Sequence, residues 1–212
     1  MLLGEKSDKI FLFIHGLNGD GSGAIRFSKV AEKFGWQVYG ITLPRDEIRP
    51  EILIPKLQST MEFLESQWKT ISFRANSFGA WLSLISFRDK TFDRCLFVSP
   101  LLNMENFILN LMKLESISEE DLKREGEIDS KFGVRLSWKY LEFVRKNPVR
   151  SISSKTRILH CSGDEVIPLD ESKNFAMKNS CELEIIDGGE HWFHTDNQLK
   201  LLEIWESKNL EE

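Results

Sequence analysis

Residues 71–85 read Ile71-Ser72-Phe73-Arg74-Ala75-Asn76-Ser77-Phe78-Gly79-Ala80-Trp81-Leu82-Ser83-Leu84-Ile85. The first four lean towards β-structure, and beyond Gly79 the run is rich in Ala and Leu, as a helix would be. A strand that reverses into a helix through one serine forces that serine into a strained backbone conformation and presents its hydroxyl above the sheet edge. Strand and helix pass very close at such a turn, so small residues must flank the serine. Ala75 and Gly79 are small. Ser77 is therefore a candidate nucleophile, with an ordinary turn serine as the plainer alternative. A nucleophile needs a base, an acid and donors for an oxyanion, which the rest of the chain must supply.

At 212 residues the chain can bury one sizeable core, which predicts a single domain with room for an insertion. A hydrophobic content of 41% and a charged content of 29% describe an ordinary soluble globular protein. The net charge of −5 argues against nucleic acid as a partner. No apolar stretch approaches the ~18 residues of a membrane span. The opening residues Met1–Lys9 are too polar and too short for a signal peptide, which leads to the expectation of a cytoplasmic protein. Cys95, Cys161 and Cys181 cannot all pair, and each sits in or beside an apolar run. Buried free thiols are the simplest reading. No ligand spacing suggests a metal, and nothing points to an organic cofactor.

Working outward from the turn, Lys9–Ile14 is apolar after Lys9 and reads as a strand buried on both faces. It runs into a glycine-dense loop, His15–Gly23, and then a helical run from Ala24 to about Phe34. Gln37–Leu43 reads as a second strand, closed by Pro44. Pro55 suits the first turn of a helix whose face is marked by Leu57, Met61, Leu64 and Trp68. After the turn at Ser77, further strands are expected at Arg94–Val98, Thr156–Cys161 and Cys181–Ile186. Strands alternating with helices predict a mostly parallel α/β sheet. The alternation breaks between Pro100 and about Ser153, where Met104, Phe107, Ile108, Leu111 and Met112 fall at helical spacing. This predicts a core of residues 1–100 and 154–212, with residues 101–153 as a helical insertion packed over the carboxyl edge of the sheet. The charges of Glu119–Glu127 read as a solvated helix face.

Ligands of open α/β sheets gather at the carboxyl ends of the strands. Four such ends carry suggestive residues: His15-Gly16-Leu17, Ser77, Gly163-Asp164-Glu165-Val166-Ile167-Pro168, and Gly188-Gly189-Glu190-His191. In this order, each after an expected strand, they resemble the pattern of the α/β-hydrolase family over nearly the whole chain. Leu136–Val144 in the insertion, with His191-Trp192-Phe193-His194 near the end, is also similar to a group of small bacterial hydrolases of undefined substrate. Two departures stand out. Ala75 occupies the position of the first glycine of the usual Gly-x-Ser-x-Gly. The amino end also lacks room for two strands of the family, so a reduced sheet of about six strands is expected.

The resemblance implies roles. Ser77 would be the nucleophile, His191 the general base and then acid, and Asp164 the orienting carboxylate. The backbone N–H groups of Leu17 and Phe78 would form the oxyanion site. Glu165 and Asp170 are substitutes for the acid, and His194 is the competitor of His191. His15 reads as a loop brace and His160 as a core histidine. Trp138, Trp192 and Met104 are candidates for substrate contacts, although aromatics and methionines at such spacing are more often core. The implied activity is a serine carboxylesterase acting on a small-molecule ester or acyl substrate. Thioesters, amides and peptides remain open, as do a non-catalytic binding role and the oligomeric state. Gly19-Asp20-Gly21-Ser22-Gly23-Ala24 also fits a dinucleotide fingerprint. Its glycines start five residues beyond Ile14, however, and Asp20 would repel a pyrophosphate.

Overall fold

The computed structural model describes residues 1–44 and 48–211. They form two compact units, 1–102 with 151–212, and 103–150.

The first unit is built on a sheet of seven strands: β1 (Leu2–Leu3), β2 (Lys9–Ile14), β3 (Gln37–Ile41), β4 (Thr70–Asn76), β5 (Cys95–Val98), β8 (Thr156–Cys161) and β9 (Glu182–Ile186). Their order across the sheet is β1-β3-β2-β4-β5-β8-β9. All neighbours pair in parallel except β1, which runs antiparallel along β3. The six expected strands are thus present, with β1 as an addition. β1 is two residues long and carries no periodicity to read. It is held by the Gly40 N–H on the Met1 carbonyl and by the terminal ammonium on the Gly40 carbonyl.

The first unit also holds five α-helices: α1 (Ser22–Ala31), α2 (Pro50–Gln67), α3 (Phe78–Ser86), α7 (Leu169–Asn179) and α8 (Asp196–Leu210). β2 is buried on both faces, as its sequence requires. Phe11 and Phe13 pack with Phe27 and Val30 of α1 and Leu202 and Trp205 of α8. Ile10, Leu12 and Ile14 alternate to the opposite side, where Gly79 of α3 lies against Ile14. One correction concerns α2. The helix starts at Pro50, and Pro55 lies inside it. Pro50 takes the first helical position, where a missing N–H costs nothing. Cys95 and Cys161 are buried and Cys181 is half-buried, all as free thiols. Burial pushes the Cys181 thiol up to about 11.

The second unit holds α4 (Met104–Leu114), α5 (Glu119–Glu125) and α6 (Trp138–Lys146), plus an antiparallel hairpin of β6 (Glu127–Asp129) and β7 (Arg135–Ser137). The hairpin is an addition to the expected helices, because three-residue strands rich in charge have no apolar run to betray them. Ser118 and Asp121 form a reciprocal capping box at the start of α5. Arg145 binds Glu105 at 2.8 Å and Glu119 at 2.7 Å, so Glu119 belongs to an ion-pair network rather than to a bare solvated face. Hydrogen bonds from Arg145 hold the Glu119 carboxyl below its usual value.

Candidate active site

The strand order places the reversal of winding between β2 and β4, where a crevice opens at the carboxyl ends of the strands. The register sets those ends level, with Ile14 opposite Ala75, Asn76 opposite Val98 and Cys161 opposite Ile186. The loops after β2, β4, β8 and β9 consequently leave the same edge.

Ser77 sits between β4 and α3 with φ 45° and ψ −119°, a conformation that costs a non-glycine residue about 1–3 kcal/mol. Its backbone is held from several directions. Ser77 N–H donates to the Val98 carbonyl at 3.1 Å, and its own carbonyl accepts from the N–H groups of Ala80 at 2.9 Å and Leu101 at 3.1 Å. Gly79 is required by space: a Cβ there would stand 2.6 Å from the carbonyl oxygens of both Ile14 and His15. Gly16 lies beside the serine, its missing Cβ 3.3 Å from the Ser77 Cβ. Phe78 opens α3, so its N–H is one of the four without an acceptor inside the helix.

His15 braces the loop after β2, as expected. Its Nε2 accepts the Leu43 N–H at 3.0 Å. The proton therefore sits on Nδ1, which donates to the Gly16 carbonyl at 2.7 Å.

The loops after β8 and β9 interlock. A Cβ on Gly163 would meet the Gly189 carbonyl oxygen at 2.5 Å, and Gly188 and Gly189 take φ values of 65° and 72°. This close passage brings His191 to Asp164. His191 Nδ1 lies 2.7 Å from Asp164 Oδ2, and Nε2 lies 2.9 Å from Ser77 Oγ. Asp164 Oδ1 accepts the N–H groups of Val166 at 2.9 Å and Ile167 at 2.8 Å. Burial disfavours the Asp164 carboxylate, but hydrogen bonds from His160 and His191 and the backbone N–H of Ile167 outweigh it, holding the acid well below its usual value. An ionised Asp164 places the His191 proton on Nδ1 and leaves Nε2 to accept from the serine hydroxyl.

Among the competing residues, Glu165 and Asp170 are exposed, and Asp170 pairs with Lys173 at 3.2 Å. His194 is exposed and faces Glu190 at 3.5 Å. Thr195 caps α8, and Gln198 donates to the Glu190 carbonyl at 3.0 Å, tying the helix to the histidine loop.

A cavity of about 440 Å³ opens at Ser77 and is lined by Leu17, Asn76, His191, Trp192 and Leu199, among others. Trp192 is 62% exposed and stands edge-on to His191, with ring centroids 4.8 Å apart, so it is not core. Phe193 is buried in the core beside it. Met104 and Trp138 belong to the second unit.

A charged cluster behind the serine has no counterpart among the sequence expectations. Arg74 and Glu206 are fully buried, with Arg74 Nε and Nη2 donating to Glu206 Oε1 at 3.1 and 2.9 Å. Arg26 donates to the other oxygen of Glu206 at 3.2 Å, and Arg74 Nη1 donates to Asn76 Oδ1, fixing the residue before the serine. Burial lowers the Arg74 guanidinium to about 10 despite the Glu206 charge. The signal that could have found it is an arginine within the β-leaning run that leads into the serine turn.

The dinucleotide alternative has a structural obstacle. Asp20 Oδ1 accepts the Ser22 N–H at 2.9 Å, so a carboxylate already occupies the start of α1, where a pyrophosphate would sit.

No family model and no curated protein sequence matches the chain. Solved structures do resemble it. Est1E from Butyrivibrio proteoclasticus, solved with ferulic acid bound, gives a TM-score of 0.84 at 16% identity, covering 100% of this chain and 93% of that one. Mouse alpha/beta hydrolase domain-containing protein 10 gives 0.75 at 16% identity, covering 100% and 92%. A monoacylglycerol lipase from Paleococcus ferrophilus gives 0.71 at 15% identity, covering 99% and 96%. The chain has the α/β-hydrolase fold.

Proposed function

We propose that the protein is a serine hydrolase that cleaves carboxylic esters through an acyl-enzyme intermediate. The observation that carries this reading is the unbroken relay from Asp164 through His191, at 2.7 and 2.9 Å, to a serine held at positive φ. Ser77 Oγ attacks the acyl carbonyl while His191 Nε2 takes the hydroxyl proton. The bond from the carbonyl carbon to the alkoxy oxygen then breaks, and His191 returns the proton to the departing alcohol. Water repeats the sequence on the acyl-serine and releases the acid. The N–H groups of Leu17 and Phe78 receive the developing oxyanion, each lowering the barrier by roughly 3–4 kcal/mol. Trp192 offers an apolar wall to the substrate. The lipase and the ferulate-bound protein of similar fold support an ester substrate.

Fluorophosphonate labelling and hydrolysis of p-nitrophenyl esters of increasing acyl length test the reading, with Ser77→Ala as control. Labelling and turnover that both vanish in the variant support it. A wild-type protein that neither labels nor turns over would refute it and leave a binding role. Parallel rates on matched thioester and anilide substrates decide the class of bond.

A further inference from the structure

Asp164 has a second histidine. His160 lies one residue before the end of β8, with its side chain fully buried, and its Nε2 stands 3.2 Å from Asp164 Oδ2. That is the same oxygen that His191 Nδ1 approaches at 2.7 Å. The proton on His160 is placed by its neighbours. Nε2 also stands 3.1 Å from the Ile167 carbonyl oxygen, which can only accept, so Nε2 must carry the hydrogen and share it between the carbonyl and the carboxylate. Nδ1 then accepts the hydroxyl of Ser172, buried on α7, at 2.7 Å. Asp164 is thereby held by three hydrogen bonds, from Val166 and Ile167 to Oδ1 and from His191 to Oδ2, with the His160 N–H standing 3.2 Å from Oδ2 as a further, shared donor. With only one donor on Oδ2, the carboxylate could swing about the axis through Oδ1 and drag the His191 ring away from Ser77.

We infer that His160, held in one tautomer by Ser172, is a positioning residue that fixes the Asp164 carboxylate and through it the His191 ring. The relay therefore runs Ser172, His160, Asp164, His191, Ser77, and draws on α7 as well as on the strand tips. This inference rests on the proposed ester hydrolysis, because the effect of His160 is read through turnover. His160 touches neither Ser77 nor the substrate cavity, so its contribution falls on kcat and not on KM. A hydrogen bond to a charged group is worth about 1.5–3 kcal/mol, which corresponds to roughly ten- to a hundredfold in rate.

The test is steady-state ester hydrolysis by His160→Leu, His160→Gln and Ser172→Ala, each also made in an Asp164→Asn background. His160→Leu is expected to lose about ten- to a hundredfold in kcat with KM unchanged. His160→Gln, which keeps a donor near Nε2, is expected to recover most of that loss. In the Asp164→Asn background His160→Leu should have almost no further effect, because its target is gone. Circular dichroism identifies any variant that fails to fold. Should His160→Leu be one, Ser172→Ala decides the matter, with kcat expected to fall severalfold at constant KM. A folded His160→Leu with wild-type kcat, a loss that is fully additive with Asp164→Asn, or an unchanged Ser172→Ala in the fallback case would overturn the inference. A wild type that neither labels nor turns over ester would instead sink the hydrolase reading itself, so the two failures are distinct.

Discussion

Replacing Glu206 with glutamine removes the counter-charge of a guanidinium that has no access to water. Both side chains are 0% exposed, and Arg74 reaches Glu206 by two bonds at 3.1 and 2.9 Å. Breaking a buried ion pair from one side costs about 3–5 kcal/mol, because an uncompensated charge is left inside. Glutamine keeps an acceptor of similar shape, which sets the expected loss at the lower end, about 3 kcal/mol. In a chain of this size each kcal/mol moves the thermal midpoint by about 2–4 °C, so a fall of roughly 6–12 °C is expected. The double variant Arg74→Met, Glu206→Leu removes both charges and should regain most of the loss, since apolar replacement of a buried pair is often neutral or better. Arg26, the remaining partner, is 29% exposed and can turn to water. Thermal and urea denaturation followed by circular dichroism measure both variants. A loss below about 1 kcal/mol in Glu206→Gln, or a double variant weaker than the single one, would refute the account of a costly unpaired charge.

Three further outcomes are expected. Gly79→Ala drives a Cβ to within 2.6 Å of two carbonyl oxygens, so thermal stability should fall by about 1–3 kcal/mol and ester turnover should collapse with it. Asp164 has its folded value held below the ordinary 3.8, so the unfolded chain binds its proton first as acid is added. The stability it contributes is present above pH 3.8 and is lost as the pH falls below it; urea titrations of Asp164→Asn should show a flatter decline there than the wild type. His191→Ala should lose more than about a thousandfold in kcat, whereas His194→Ala should stay within about threefold in the same assay.

Much of the architecture was legible in the sequence because β2 after Lys9 and β5 are continuous apolar runs, and the parallel strands each give way to a polar residue at the carboxyl end. The places where Ser77, Asp164 and His191 leave the sheet were legible for the same reason, and the parallel register then brings them together. What stayed hidden has physical causes. Glu206 lies 132 residues from Arg74 and looks like any charged position on a terminal helix. His160 reads as a satisfied core histidine, but periodicity cannot tell which acceptor satisfies it. β1 is too short for any period, and in the β6–β7 hairpin a single apolar pair, Ile128 opposite Leu136, stands between charged residues and makes no readable run. Pro55 is a poor marker for the start of α2, because proline signals a first turn only when nothing upstream can nucleate the helix sooner.

The residues of the relay are late arrivals to one another. Ser77 and His191 are 114 residues apart, and β5 and β8 stand between β4 and β9 in the sheet. Contacts of such long range are the slow ones to form. During synthesis Ser77 emerges early and stays without His191, its proposed base, until β9 and α8 have been made and have docked. A nascent or half-folded chain therefore carries an inert hydroxyl that takes no acyl group from an ester. The proposed turnover is in that sense a certificate of completed assembly: it should appear with the last folding phase, and disappear with the first loosening of the β8–β9 edge.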